Sequence, residues 1–154
     1  MSVRSESSPA AGAQPDGSLE VCDTDSEYGL GVRTLVGRRK AEVIHHFTGV
    51  LTPELLQHSL QVSPGLHISE TQIIGFLSHS CEPDCRLDMA RSELVALRDI
   101  RPGDLLTIDY AETEDVLYRQ FACHCGAAHC RNWITGRHET PNAEGRAYLA
   151  TLTP

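Results

Sequence analysis

The sequence predicts a mainly β domain of short strands and tight turns. Three observations carry this. The 154 residues include 12 Gly and 8 Pro, which interrupt long helices. The apolar segments are short, rich in β-branched residues and bounded by Gly, Pro, Ser and Asp. No apolar run approaches the roughly 18 residues of a membrane span. Apolar residues make up 40% of the chain, enough for a modest core at this length.

The elements follow in order. Leu19 to Val21 is a short apolar start, and Tyr28-Gly29-Leu30-Gly31 is a glycine turn. Val32 to Val36 and Glu42 to Phe47 read as strands around the basic turn Gly37 to Lys40. Thr52-Pro53-Glu54 predicts a helix of a turn or two, with Thr52 as N-cap and Pro53 in the first helical position. Gln61-Val62 and Leu66 to Ile68 predict a hairpin around Ser63-Pro64-Gly65. Thr71 to Leu77 fits a short helix or a strand. Leu94 to Leu97 and Leu105 to Ile108 read as strands either side of the turn Arg101 to Asp104. Gly145 to Leu152 reads as a short helix.

Charge and the N-terminal stretch narrow the function. Lys plus Arg is 13 and Asp plus Glu is 21, a formal net charge of -8. That argues against a nucleic-acid backbone or an anionic membrane as main partner, and suits a basic or amine-bearing one. The basic patch Arg33, Arg38, Arg39 and Lys40 is short and lacks interleaved aromatics. Residues 1–18 are Ser-, Ala-, Gly- and Pro-rich and read as a disordered tail without the apolar region of a secretory signal. The expected location is intracellular, in the cytoplasm. Six cysteines in a reducing compartment hold metal more often than they form disulfides.

Cys123-His124-Cys125-Gly126-Ala127-Ala128-His129-Cys130 is the sharpest local feature. Three clustered thiols around a glycine suit a tetrahedral zinc ion, which needs one ligand more. Cys81, Cys85, His124 and His129 are the candidates on spacing alone. Free thiols in a loop and a catalytic metal are the competing readings. Cys22 stands alone and reads as a small, unreactive residue.

Four segments occur in order: Tyr28-Gly29-Leu30-Gly31-Val32, Ser78-His79-Ser80-Cys81-Glu82-Pro83-Asp84-Cys85, the run Leu97 to Tyr110 ending in Asp109-Tyr110, and the cysteine run continuing through Trp133 to Gly136. Together they resemble small SET-domain lysine methyltransferases with a cysteine-rich post-SET segment. The resemblance runs from Val21 to Gly136, roughly three quarters of the chain. No pre-SET cysteine cluster is present in the sequence. Ser78 and Asp84 stand where the family has Asn, and Phe47-Thr48-Gly49 stands where many members have Tyr-x-Gly.

The resemblance implies a fold of small curved sheets with a knot-like C-terminal arrangement. It implies a SET domain over 19–120, a post-SET zinc segment over 121–136 and a C-terminal extension over 137–154. It implies S-adenosylmethionine as cofactor, contacted by Gly29, Leu30, Gly31, Ser78, His79, Tyr110 and Trp133, with Trp133 as an aromatic lid over the adenine. Tyr110 becomes the catalytic residue, where the two substrates meet. Cys81, Cys123, Cys125 and Cys130 become the ligands of one structural zinc. Ile108 and Phe47 become the substrate channel, with Ile108 leaving room for a second or third methyl.

Three functions compete. The first is methylation of a protein lysine, with a basic peptide docking on the acidic residues Asp104, Asp109, Glu112, Glu114 and Asp115. The second is methylation of free lysine or a small amine. The third is a catalytically silent, zinc-stapled interaction module.

Overall fold

The computed structural model describes residues 17–24 and 29–152. The expected tail, apart from Gly17 and Ser18, lies outside the described residues, as does Tyr28. Ser18 already belongs to the fold: it is buried, and its hydroxyl accepts a hydrogen bond from the Arg38 guanidinium at 2.6 Å.

The chain forms twelve short strands and one α-helix among the described residues. They are β1 (Leu19–Asp23), β2 (Leu30–Thr34), β3 (Val43–His46), β4 (Val50–Thr52), β5 (Leu60–Ser63) and β6 (Leu66–Ser69). After them come β7 (Ser78–His79), β8 (Cys85–Asp88), β9 (Glu93–Ala96), β10 (Thr107–Ile108), β11 (Phe121–Ala122), β12 (Trp133–Ile134) and α1 (Ala143–Thr151). β1 and β2 form a hairpin, and β3-β9-β8 and β4-β6-β5 form two antiparallel three-stranded sheets. β11 pairs antiparallel with β12. β7 and β10 pair in parallel, with Thr107 opposite Ser78 and Ile108 opposite His79. The mainly β expectation holds.

Several expected elements shift. The hairpin around Ser63-Pro64-Gly65 forms as expected. The strand expected over Val32 to Val36 lies at Leu30–Thr34, and Leu105 to Ile108 is a strand only at its last two residues. Thr71 to Leu77 contains a 3-10 turn, Ile74–Phe76. The helix expected after Thr52 does not form. The Thr52 hydroxyl does accept from the Glu54 amide at 3.1 Å, but no helical bonds follow. A nucleus of so few residues gains too little hydrogen bonding to repay its entropy. The stretch closes instead on a turn from Leu56 to Ser59.

Two hydrophobic clusters hold the fold together. The larger includes Val32, Phe47, Ile74, Leu94, Leu106 and Ile108. The smaller joins Leu117 and Ile134 to Cys81 and Cys123. Tyr110 packs against both. The C-terminal run crosses back over residues 112–117: the Arg137 and His138 amides donate to the Glu114 and Asp115 carbonyls at 2.9 and 3.0 Å. Glu139 fixes that crossing, accepting from the Leu117 and Gly136 amides and from the Gln120 amide group.

α1 docks through a close approach. A Cβ on Gly145 would lie 2.2 Å from Nε1 of Trp133. Alanine favours a helix over glycine by about 1 kcal/mol, yet here the overlap wins. Gly145→Ala is expected to lower stability by about 1–3 kcal/mol and to red-shift the emission of Trp133, the only tryptophan. Thermal melts and fluorescence spectra check it.

Candidate active site

A cavity of about 960 Å³ opens where these elements meet. β7 supplies Ser78 and His79, β10 supplies Ile108, and the next residue but one is Tyr110. The stretch 55–60 forms another wall, and Phe121, Cys123, Cys125 and Trp133 form a third. Tyr148 of α1 completes it. The volume falls within the range that encloses a cofactor-sized molecule.

Tyr110 is the best-defined group. Its hydroxyl donates to the Leu77 carbonyl at 2.5 Å. Its ring meets His79 and Phe121 edge-on, at centroid distances of 5.1 and 5.8 Å. Burial, then the nearby Glu114 carboxylate, pushes the phenol up to about 12. The hydroxyl therefore stays protonated at neutral pH. Asp109 caps the short turn that begins at Tyr110, accepting from the Ala111 amide at 3.0 Å.

His79 is a structural partner of that turn. Its Nδ1 accepts from the Tyr110 amide at 3.1 Å, which places the ring proton on Nε2. Burial lowers its pKa to about 4, against the opposing pull of Asp109. The imidazole is thus neutral, and it fixes the Tyr110 backbone instead of exchanging protons.

Gly31 lies against Ser78. Gly29 has φ +81°, a conformation that favours glycine. A Cβ on Gly31 would lie 2.9 Å from the Ser78 hydroxyl. Leu30 and Ser78 both line the cavity. Asp84 has a separate use: its carboxylate accepts from the Thr107 amide at 2.7 Å and so sets β10 beside β7.

Two expectations need adjustment. Phe47 is 3% exposed in the larger cluster and does not line the cavity, so its ring is core. β3 ends at His46, and the Phe47 amide bonds the Ser92 carbonyl, which turns the ring inward. Trp133 does line the cavity, but as a fixed wall. Its indole N–H donates to the Gln120 side chain at 2.8 Å, and Tyr148 and Gly145 cover it.

The sulfur atoms of Cys81, Cys123, Cys125 and Cys130 all lie within 4.8 Å of one another. A tetrahedron with Zn–S bonds near 2.3 Å has edges of about 3.8 Å, so the cage fits zinc. Backbone amides of Arg131 and Asn132 donate to the sulfurs of Cys81 and Cys130, both at 3.4 Å, which favours thiolates. Cys85 is fully buried in β8, its thiol pushed up by burial, and belongs to the core. His124 and His129 are exposed outside the cage. The alternatives left by spacing thus resolve to Cys81. Cys22 lies half-buried in β1, opposite Gly31.

The acidic run does not form one free face. Asp109 pairs with Arg131 at 2.8 Å, and Asp115 pairs with Arg137 at 2.8 Å. Glu114 is buried, which raises its pKa even though the Gln61 amide donates to it. The basic patch is dispersed as well: Arg38 is buried on Thr34 and Ser18, and Arg33 pairs with Glu20. Sequence reasoning missed the wall over 55–60, Gln120, Arg131 and Tyr148. Arg131 sits inside the cysteine run, between Cys130 and Trp133, but nothing in the sequence assigns it a role. Gln120 lies outside the recognisable motifs, and Leu55, Leu56 and Tyr148 carried only a weak signal, as parts of expected helices.

Comparisons with known proteins agree with this geometry. The chain belongs to the SET domain family, whose model matches residues 29–111. It is similar to the probable histone-lysine N-methyltransferase lin-59 of Caenorhabditis elegans, 29% identical over 124 residues, covering 68% of this chain and 9% of that protein. It is 36% identical over 67 residues to the histone-lysine N-methyltransferase ASHH2 of Arabidopsis thaliana, covering 40% of this chain and 4% of that one. A crystal structure of KRYPTONITE in complex with mCHG DNA and SAH superposes with a TM-score of 0.60 at 28% identity, covering 75% of this chain and 28% of that chain. The chain thus spans a small fraction of the relatives it matches.

Proposed function

We propose that this domain transfers methyl groups from S-adenosylmethionine to the side-chain amine of a protein lysine. The observation that carries the reading is Tyr110, which lines the cavity at the seam of two cores with its amide on His79 and its hydroxyl on the Leu77 carbonyl. The relatives named above are lysine methyltransferases, and a second KRYPTONITE structure (TM-score 0.57, 27% identity) holds an H3(1-15) peptide with SAH.

S-adenosylmethionine supplies an electrophilic methyl on a sulfonium. The residues of this chain do the rest. Leu30, Ser78 and His79 offer the wall on which the cofactor is held, and Trp133 offers an aromatic surface. The acceptor amine must be neutral, which costs about 4.6 kcal/mol at pH 7 for a lysine with its ordinary pKa. Ile108, Leu77 and Phe121 give the cavity apolar walls that favour the neutral form. The Tyr110 hydroxyl and the Leu77 carbonyl orient the amine, and orientation contributes several kcal/mol.

The test is an acceptor screen on zinc-loaded protein, with methyl incorporation followed by mass spectrometry. Basic peptides and histone proteins are expected to be modified. Transfer to free lysine alone would favour the small-amine reading. A folded sample that binds no S-adenosylmethionine would favour the silent module.

Ile108 is buried beside Tyr110 and carries no hydroxyl to hold a water where a further methyl must fit. The wild type is expected to give di- or trimethylated product, and Ile108→Tyr to stop at one methyl. Only monomethyl product at full turnover of the wild type overturns this assignment.

A further inference from the structure

We propose that Arg131 is a positioning residue that couples the four-cysteine site to Tyr110. The inference rests on the methyltransferase reading above. One side chain reaches both places. Its backbone amide and its Nε each lie 3.4 Å from the Cys81 sulfur. Its Nη2 donates to Oδ1 of Asp109 at 2.8 Å. The same Asp109 oxygen accepts from the Ala111 amide and so caps the turn that begins at Tyr110.

A second route runs alongside. Nε2 of His79 lies 3.6 Å from the Cys81 sulfur and 3.5 Å from Nη2 of Arg131. The opposite nitrogen of that ring receives the Tyr110 amide. The Tyr110 backbone is therefore referenced to the Cys81 sulfur by two routes: through Arg131 and Asp109, and through the His79 ring, whose Nε2 proton faces that sulfur. A planar fork of donors suits this task, because it bonds a sulfur and a carboxylate at fixed relative directions. Metal binding fixes the Cys81 sulfur, and Arg131 passes that constraint to the turn. Small displacements of an orienting hydroxyl carry large rate penalties.

The test uses the full chain as Arg131→Gln and Arg131→Lys, with zinc content, S-adenosylmethionine affinity, steady-state kinetics and the ¹³C-tyrosine NMR signal of Tyr110 as readouts. The Tyr110 signal is assigned from Tyr110→Phe. In wild type, chelating zinc is expected to move that signal. In Arg131→Gln the signal is expected to shift while the protein still holds one zinc. Its kcat is expected to fall about tenfold to a hundredfold, with KM and cofactor affinity within about threefold. Arg131→Lys keeps the charge without the fork and is expected to recover part of kcat.

An Arg131→Gln protein that holds zinc with an unmoved Tyr110 signal and unchanged kcat overturns the proposal. So does a loss confined to KM or to melting temperature. If Arg131→Gln loses zinc, Asp109→Asn cuts the same link at its far end and is read in the same way. Should the wild type methylate no acceptor, the proposed function fails, and the Tyr110 signal still decides the coupling.

Discussion

Tyr110→Phe is expected to lower the rate of methyl transfer by about a hundredfold or more while leaving cofactor affinity within about threefold. The ring makes the packing contacts, with His79, Phe121 and both hydrophobic clusters, and phenylalanine keeps all of them. The hydroxyl makes one bond, to the Leu77 carbonyl. Its removal frees that carbonyl and strips the cavity of the group that orients the amine. The loss therefore falls on kcat. A hydroxyl with its pKa pushed up to about 12 also stays protonated across the assay range. Burial favours its neutral form, so its ionisation lies above the range in which the acceptor lysine sheds its proton. The wild-type rate is thus expected to rise from pH 7 toward about pH 9.5 as the amine becomes neutral. Stopped-flow or discontinuous rates over that range, with binding by calorimetry, check both statements. A Tyr110→Phe rate within about threefold of wild type would remove the hydroxyl from the chemistry.

Removal of zinc is expected to have a larger effect. The cage draws three ligands from the C-terminal segment and one, Cys81, from the turn between β7 and β8. A structural zinc of this kind contributes on the order of 10 kcal/mol to the order of its segment. Cys123 and Cys125 are themselves cavity walls, and Trp133 lies just beyond Cys130. Chelation is therefore expected to weaken S-adenosylmethionine binding by at least about a hundredfold and to shift Trp133 emission to the red. The three-stranded sheets, packed on the larger cluster, are expected to persist in far-ultraviolet circular dichroism. Cys123→Ser reproduces the chelated state. Cys85→Ser retains the metal, since that thiol lies in the core. Titrating zinc back with fluorescence and calorimetry in parallel checks the reversal. Cofactor affinity unchanged in the metal-free protein would show that the cage and the cavity are independent.

The chemistry-bearing positions were legible from residues in short runs. Gly29 to Gly31, Ser78 to Cys85, Asp109-Tyr110 and the cysteine run are local patterns. Each is constrained by what its own backbone and side chains must do. The turn at Ser63-Pro64-Gly65 was legible for the same reason, because turn geometry is set by adjacent residues. The C-terminal helix was legible to within two residues at its start.

Tertiary packing decided the remainder. The parallel pairing of Ser78–His79 with Thr107–Ile108 joins strands separated by two others, and nothing in a two-residue strand encodes its partner. That pairing is what brings His79 to the Tyr110 amide. The direction of Phe47 depends on a bond to Ser92 across the sheet, so an aromatic suited to a channel became core. The choice of Cys81 over Cys85 turned on which sulfur faces the C-terminal run. The acidic run was legible as composition only. Arg131, Arg137 and burial consume much of it, because charge partners are chosen in space. Patterns closed within a few residues are written in the chain, whereas contacts across it exist only once the two cores have formed.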